Sequence, residues 1–382
     1  MNKKKQIQIV IDATRNKSGG AIAYLKNFIK HIDLSKTKIK KIIIFSNEKI
    51  LKQIPNRSFL IKYNHPLLEM NIFFQIAWQV IFLPIFLKKN KIDILYSTDS
   101  STFYNNSHSI VFNQDILSFD TQTLNQIPFS LEKIRLYLIR FLQIRSLNRA
   151  KEIIFLSNYT KNIISKNLKK KKNFNIIYHG IEKNILKIGK KNLKNSSWNL
   201  NSKKKIKIVY VSPLFLYKNH LTVIKAYCRL KKKYSNLEIK FIGSYKHNLK
   251  LYNKLINENS FVDKNNFIGE INQKDVIKYL IKSDLFVFAS SSETFGISLV
   301  EAMATGIPII CSNKSSLPEI LQNGGIYFNP KNDLQLSNQI EKMMINKNLR
   351  KKKSLLARNR AFKFSWEENT KEFCKIINKL TK

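Results

Sequence analysis

The sequence predicts an α/β protein built from two doubly wound, Rossmann-like domains facing each other across a cleft. Three observations carry that expectation. Short apolar, β-prone runs alternate along the chain with segments of helical periodicity, the pattern of parallel sheets with helices on their faces. A length of 382 residues suits two or three domains. A polar, lysine-rich stretch from Lys190 to Lys205, KKNLKNSSWNLNSKKK, interrupts the alternation in mid-chain and reads as a linker or exposed loop. The expected division is a first domain over 1–188, a linker over 189–204, a second domain over 205–360 and a terminal helix over 361–382.

In chain order, Ile7 to Ala13 reads as a first buried strand, Thr14 to Gly20 as a loop, and Ala21 to Ile32 as a helix with Ile22, Leu25, Phe28 and Ile29 on one face. Gly19-Gly20 lacks the Gly-x-Gly-x-x-Gly pattern, so on its residues alone it is a tight turn. Lys41 to Ser46 is a second strand. Asn71 to Leu87, NIFFQIAWQVIFLPIFL, is the most apolar window, yet Gln75, Gln79 and Pro84 interrupt it and it falls short of a comfortable membrane span. A helix packed on the sheet is expected there, leading into a strand from Asp93 to Ser97. An interfacial face beside Lys88, Lys89 and Lys91 is the sharper alternative.

Leu131 to Ala150 is helix-rich, Ser157 caps a helix carrying Lys161, and Asn175 to Ile181 reads as the last strand of the first domain, with a turn at His179-Gly180. The second domain opens with a strand from Ile206 to Val211, a turn SPLFLYKNH and a helix from Leu221 to Lys232. Glu238 to Gly243 is a strand ending in a glycine that a nucleotide can pass. A strand, a Gly269-Glu270-Ile271 turn and a helix follow. The chain closes with FSWEENTKEFCKIINKL, an amphipathic terminal helix.

Apolar residues make up 43%, too many for a disordered chain. Lys and Arg number 68 against 25 Asp and Glu, for a net charge of +43. The excess is lysine scattered from end to end with heavy Ile and Asn use, as an AT-rich genome produces. A nucleic-acid reader clusters arginine with aromatics on one element, so no specific nucleic acid is expected. An anionic lipid surface is the partner such a charge favours. Three separated cysteines, Cys228, Cys311 and Cys374, indicate neither a disulfide framework nor zinc and fit a reducing cytoplasm. The histidines show no metal-ligand spacing and there is no Asp-x-Asp pair, so no metal and no cofactor are expected. The N-terminus runs directly into a strand and lacks the features of a signal peptide.

The stretch from Asp284 to Ser312, DLFVFASSSETFGISLVEAMATGIPIICS, is the expected catalytic centre. It parses as a strand to Ala289, a polar turn from Ser290 to Thr294, a helix from Phe295 to Thr305 and a strand from Ile307 to Cys311. A helix opening with Phe295-Gly296-Ile297 offers free N–H groups and a positive dipole end, and Gly296 admits an anion closely, so a diphosphate belongs there. Eight residues of helical rise cover roughly 12 Å. Glu301 can therefore reach ribose hydroxyls while Glu293, at the mouth, reaches a transferred group. The bland alternative is one capping acid and one solvated surface acid. Lys218, at a strand-to-helix turn, is placed to neutralise a leaving diphosphate, or is one more surface lysine.

ETFGISLVEAMATGIPII, with Phe295-Gly296, Glu301-Ala302-Met303-Ala304, Gly306 and Pro308 in register, resembles the signature of retaining glycosyltransferases of family 4, enzymes of the GT-B fold. The resemblance implies that Lys218 contacts the phosphates, that Gly19-Gly20 faces the donor, and that the turn Gly269 to Ile271 holds the base. It also implies that the terminal helix crosses back onto the first domain. An arginine usual several residues before the lysine is absent, its place taken by Ser212-Pro213. In SIVFNQDILSF, Ser109 to Phe119, Gln114 stands where a histidine is usual near the transferred sugar, with Asp115 retained; Gln114 can hydrogen-bond a hydroxyl but cannot donate a titratable proton.

The expected catalytic set is thus Glu293, Lys218, Asp115 and Gln114. The donor set is Gly19, Gly20, Ser212, Lys218, Gly243, Gly269, Ile271, Glu293, Phe295, Gly296, Ile297 and Glu301. The expected activity moves a sugar from a nucleotide-sugar, as co-substrate, to a saccharide or lipid-linked saccharide in surface polysaccharide synthesis. It would run in the cytoplasm, at the inner face of the plasma membrane. Competing readings are a sugar-nucleotide epimerase or phosphorylase on the same fold, or a non-enzymatic binder of anionic ligands such as nucleic acid.

Overall fold

The apolar runs condense into two parallel sheets. In the computed structural model, which describes residues 6–16, 19–35, 37–104, 106, 108–169, 172–191 and 204–381, the first sheet has seven strands. They are β1 (Ile7–Asp12), β2 (Ile39–Phe45), β3 (Leu60–Tyr63), β4 (Ile94–Ser97), β5 (Ser109–Asn113), β6 (Glu152–Phe155) and β7 (Asn173–Ile176). Their order is β3-β2-β1-β4-β5-β6-β7 with every pair parallel. Helices cover both faces, so the central strands are rich in buried apolar residues; β4 and β5 are buried at every position.

The second sheet has six strands, β8 (Ile206–Val211), β9 (Leu237–Ile242), β10 (Phe267–Gly269), β11 (Leu285–Phe288), β12 (Ile309–Ser312) and β13 (Ile326–Phe328), in the order β10-β9-β8-β11-β12-β13. It too is parallel throughout.

The chain divides into two compact units, one of residues 1–124, 128–180 and 366–382, the other of residues 125–127 and 181–365. In the first unit the final helix, Trp366–Leu380, lies on the helix Gly19–His31. Phe28 meets Phe373 edge to face with centroids 4.9 Å apart, and Lys38 Nζ donates to the Thr381 carbonyl at 2.9 Å. Of the lysine-rich stretch expected to link the domains, residues 192–203 lie outside the described residues.

Several boundaries differ from the sequence reading. Strands β3 and β6 were not anticipated as separate strands. β3 is four residues with alternating exposure at the sheet edge, too short to show a pattern. β7 stops at Ile176 because its neighbour β6 ends at Phe155 and offers no further ladder. Gly19 and Gly20 form the first turn of a helix rather than the loop before it, whereas Phe295 and Gly296 stand just ahead of theirs.

The apolar window forms one helical rod, Ile72–Ala77, a π-turn at Trp78–Phe82, and Leu83–Lys89. Pro84 has no N–H to donate, and the widened turn precedes it. Trp78, Leu83 and Leu87 pack with Val10, Phe45 and Leu95 of the sheet. By length and composition this is the one helix among the described residues that could cross a membrane. It is seated by a mixed face in which Gln75 and Gln79 are as buried as the apolar residues.

Candidate functional site

In the second sheet β8 and β11 are neighbours at the centre, and the chain winds outward through β9 and β10 on one side and β12 and β13 on the other. The connections after β8 and β11 therefore diverge and leave a crevice at their carboxyl ends, where ligands of doubly wound sheets bind. Lys218 lies in the connection after β8 and Glu293 in that after β11. The two meet, Nζ to Oε1, at 2.5 Å, with side chains only 10% and 16% exposed.

Backbone and side-chain ties hold the two turns together. Ser291 N–H donates to the Tyr217 carbonyl at 2.8 Å. Asn219, in the left-handed region at φ 53°, donates from Nδ2 to the Ala289 carbonyl at 2.7 Å and to Ser291 Oγ at 2.8 Å. Lys331 Nζ in turn donates to Asn219 Oδ1 at 2.8 Å. Tyr210, buried on β8, donates its hydroxyl to the Lys218 carbonyl at 2.5 Å, and the Tyr217 ring lies 5.0 Å from Lys218 Nζ. On the other side Ser316 Oγ donates to the Glu293 carbonyl at 3.0 Å.

Four residues past Glu293 the helix Ile297–Thr305 begins, capped by Gly296 at φ 84°. Only glycine adopts that conformation without strain, and a Cβ there would stand 3.0 Å from Leu317 Cδ2. The helix's first N–H groups have no intrahelical acceptor, so its positive end opens beside the Lys218–Glu293 pair. Phe295, 2% exposed, anchors the approach by packing edge to face on Phe364.

Glu301 is 5% exposed and accepts from Gln273 Nε2 at 2.7 Å. Burial pushes its carboxyl up to about 7, against the opposing effect of that hydrogen bond. This excludes the solvated surface acid. Gln273 opens the helix Gln273–Lys282, just after Ile271, so the bond joins two helices that both start at the carboxyl edge of the sheet.

At the same edge Gly243 N–H donates to the Gly269 carbonyl at 2.9 Å and Ser212 N–H to the Ile242 carbonyl at 2.7 Å. Gly243, at φ 142°, has the Ser212 carbonyl oxygen 2.3 Å from where a Cβ would be. Ser212-Pro213 is therefore locked against the end of β9. Ser212, Lys218, Gly243, Gly269, Ile271, Glu293, Phe295, Gly296, Ile297 and Glu301 all belong to one edge of one sheet.

The remaining expected residues belong to the first unit, where the carboxyl ends of β1 and β4 form the corresponding crevice. Gly19 and Gly20 are exposed at a helix start. Gln114 donates from Nε2 to the Thr98 carbonyl at 2.9 Å. Asp115 is exposed and accepts from Leu117 N–H at 2.9 Å.

This crevice also gathers residues the sequence reading passed over. Asp12, 1% exposed, accepts from Thr14 Oγ1 at 2.8 Å and Gln79 Nε2 at 2.8 Å, and burial raises its pKa. Arg15 pairs with Asp99 at 3.2 Å, and Asn16 Nδ2 donates to Thr98 Oγ1 at 3.0 Å. The available signal was polarity inside apolar runs: an aspartate ending β1 and a glutamine at the middle of the apolar window. Among the described residues no group of three or more His, Cys, Asp or Glu side chains is placed to hold a metal ion.

The two parallel, doubly wound sheets of seven and six strands have the GT-B architecture, a likeness of fold alone. Residues 192–360, which contain the whole second sheet, match the family Glycosyl transferases group 1.

Among curated relatives, an uncharacterized glycosyltransferase of Methanocaldococcus jannaschii is 28% identical over 242 residues, 61% of this chain and 59% of that protein. The O-antigen chain mannosyltransferase B of Escherichia coli is 30% identical over 104 residues, 27% of each chain. The matches thus span less than two thirds of those relatives' lengths.

Among solved structures, sucrose-phosphate synthase from Thermosynechococcus elongatus superposes with a TM-score of 0.74 at 15% identity over 98% of this chain and 99% of that one. Anabaena HepE, solved with UDP and glucose, gives 0.70 at 17% identity over 98% and 100%. At such identities these likenesses speak to the fold alone.

Proposed function

We propose that the chain is a glycosyltransferase of the family 4 type, moving a sugar from a nucleotide-sugar with retention of anomeric configuration and without a metal ion. The acceptor is a saccharide or lipid-linked saccharide on the way to a surface polysaccharide, such as a lipopolysaccharide, O-antigen or capsule, and the reaction runs on the cytoplasmic side of the membrane. The observation that carries the reading is the Lys218–Glu293 pair beside the Gly296-opened helix at the switch point of the second sheet. A relative's role in O-antigen chain synthesis supports the polysaccharide assignment.

In this mechanism the donor diphosphate lies on the N–H groups from Ile297 onward and on Lys218 Nζ, the ribose hydroxyls donate to Glu301, and Glu293 takes a hydroxyl of the sugar. Negative charge grows on the diphosphate as the glycosidic bond breaks, and the helix terminus and lysine bind that charge more tightly in the transition state than in the ground state. In a front-face displacement the leaving phosphate oxygen accepts the acceptor's proton. A protein base is not required, and the glutamine at position 114 is tolerated.

The test is transfer from UDP-sugars first, then other nucleotide-sugars, to saccharide and lipid-linked acceptors, in buffer with and without EDTA, with the anomer of the product determined. Acceptor-dependent release of nucleoside diphosphate with a retained anomer supports the reading. Epimerised donor without acceptor, or cleavage by inorganic phosphate, overturns it.

A further inference from the structure

We infer that the first unit docks on an anionic lipid bilayer through one apolar face made by two helices, Ile72–Lys89 and Leu131–Arg149. This goes beyond the transfer reaction and does not depend on it. Both helices cross over in the same direction along the sheet, from β3 to β4 and from β5 to β6, so right-handed connections put them on the same face. The packing agrees. Trp78 and Leu87 sit with Val10 and Leu95, while Leu147 sits with Val111. The registers Val10 with Leu95 and Ser97 with Val111 place those positions on one side. The two helices also clasp the same peptide unit pair: Phe103 N–H donates to Gln79 Oε1 at 3.2 Å, and Arg145 Nη1 donates to the Phe103 carbonyl at 3.1 Å.

Each helix buries a glutamine among its packed apolar residues and leaves a row of apolar residues outward. Gln79 and Gln143 are each 1% exposed, bonded to Asp12 and to Ser100. On the outside Phe73, Ile81 and Ile85 are 76%, 53% and 60% exposed, and Leu131, Leu138 and Phe141 are 85%, 60% and 66% exposed. Positions 131, 134, 138 and 141 follow the spacing of a single helix face, and Ile134 is exposed as well. These outward rows leave large apolar side chains in water on the same face of the sheet, and exposed apolar surface of this extent marks a docking site.

The charge selects the occupant. Of the basic residues on the two helices Lys88, Lys89, Arg135 and Arg149 are exposed, Arg135 beside the single acid Glu132, while Arg145 is turned inward to Phe103 and Arg140 bonds Asn167. A second copy would bring +43 against +43, whereas an anionic headgroup layer matches the basic residues and takes the apolar side chains below it. The first helix lies on the surface and does not span, because Trp78, Gln79, Leu83 and Leu87 bind it to the sheet.

The experiment measures binding of the full chain, without donor, to phosphatidylglycerol-containing and to pure phosphatidylcholine vesicles by sedimentation, at low and high salt. It is repeated on Phe73→Ser/Ile81→Ser/Ile85→Ser and Leu131→Ser/Leu138→Ser/Phe141→Ser, with Lys250→Gln/Lys254→Gln on the second unit as a charge control. The expected result is binding to anionic vesicles that partly survives high salt, a loss of about 100-fold in each triple-serine variant at unchanged Tm, and little change in the control. The inference is overturned if the serine variants bind like wild type and salt abolishes all binding, which is attraction by net charge alone. It is equally overturned if no vesicle binding occurs and light scattering shows a dimer that the serine variants lose, or a soluble monomer throughout. Because no donor is present, failure here leaves the transferase reading standing, and the reverse.

Discussion

Lys218 Nζ and Glu293 Oε1 stand 2.5 Å apart although 75 residues separate them in the chain. Neither side chain has much access to water, so their attraction is screened less than at an open surface. The pair holds cation and carboxylate in position before any donor arrives.

Replacing Glu293 by Gln keeps the shape and removes the charge. Turnover is expected to fall about 100- to 1,000-fold, the range for loss of one charge-stabilising contact in a transition state. Lys218→Met is expected to act similarly, and the double variant to be less impaired than the product of the singles. Steady-state kinetics on the four proteins check this, with thermal unfolding as the control for folding. Unchanged kcat in Glu293→Gln removes it from the mechanism.

Glu301 makes donor binding pH-dependent. Its carboxyl titrates near 7 in the folded chain against an ordinary 4.5. Below 4.5 the group is protonated in both states, and folding keeps its full contribution. Between pH 4.5 and about 7 the unfolded chain ionises this group while the folded chain keeps it protonated, so stability declines across that window, by roughly 3 kcal/mol in all, and levels off above it. The ionised form is the better acceptor for ribose hydroxyls. Donor affinity is therefore expected to rise from pH 6 to pH 8, whereas the stability contributed by this group falls from pH 4.5 to about 7 and is flat by pH 8. Isothermal titration and urea unfolding on wild type and Glu301→Gln check it, the variant losing both slopes.

Two glycines separate structure from binding. At Gly243 a Cβ would fall 2.3 Å from the Ser212 carbonyl oxygen, so Gly243→Ala must displace backbone. A loss of about 2 kcal/mol or more in unfolding free energy is expected. At Gly296 the nearest atom is the tip of Leu317, 3.0 Å away, which can yield. Gly296→Ala is expected to cost about 1 kcal/mol in stability through its positive φ, with a larger loss in nucleoside diphosphate affinity. Denaturant melts beside binding titrations distinguish the two.

Gln79 joins the apolar helix to the end of β1 by its bond to Asp12. Gln79→Leu leaves a buried carboxylate short of a donor, at an expected cost of about 1–3 kcal/mol. Asp12→Asn in that background is expected to restore part of it, because the neutral amide is cheaper to bury. Urea unfolding of the two variants and wild type tests the pairing.

The legible parts of the molecule were those in which one short window holds all the information. β11, the turn at Glu293, the Gly296 opening and the helix through Glu301 occupy fewer than thirty consecutive residues, and period and glycine placement were enough to assign them. β3 was missed because four half-exposed residues at a sheet edge carry no period. The inward glutamines of the apolar window were read as interruptions, because sequence shows that Gln79 is polar but not that Asp12, sixty-seven residues away, is its acceptor.

By itself, then, the sequence determined two α/β sheets, the residue types at the carboxyl edge of the second, and an apolar helix expected to pack on the first. Only the tertiary structure decided that Lys218 meets Glu293, that Glu301 is buried against Gln273, and that the apolar helix faces outward beside a second one. Strand order places β8 next to β11 and β1 next to β4. Contacts between turns on neighbouring strands depend on that order, which local periodicity does not encode.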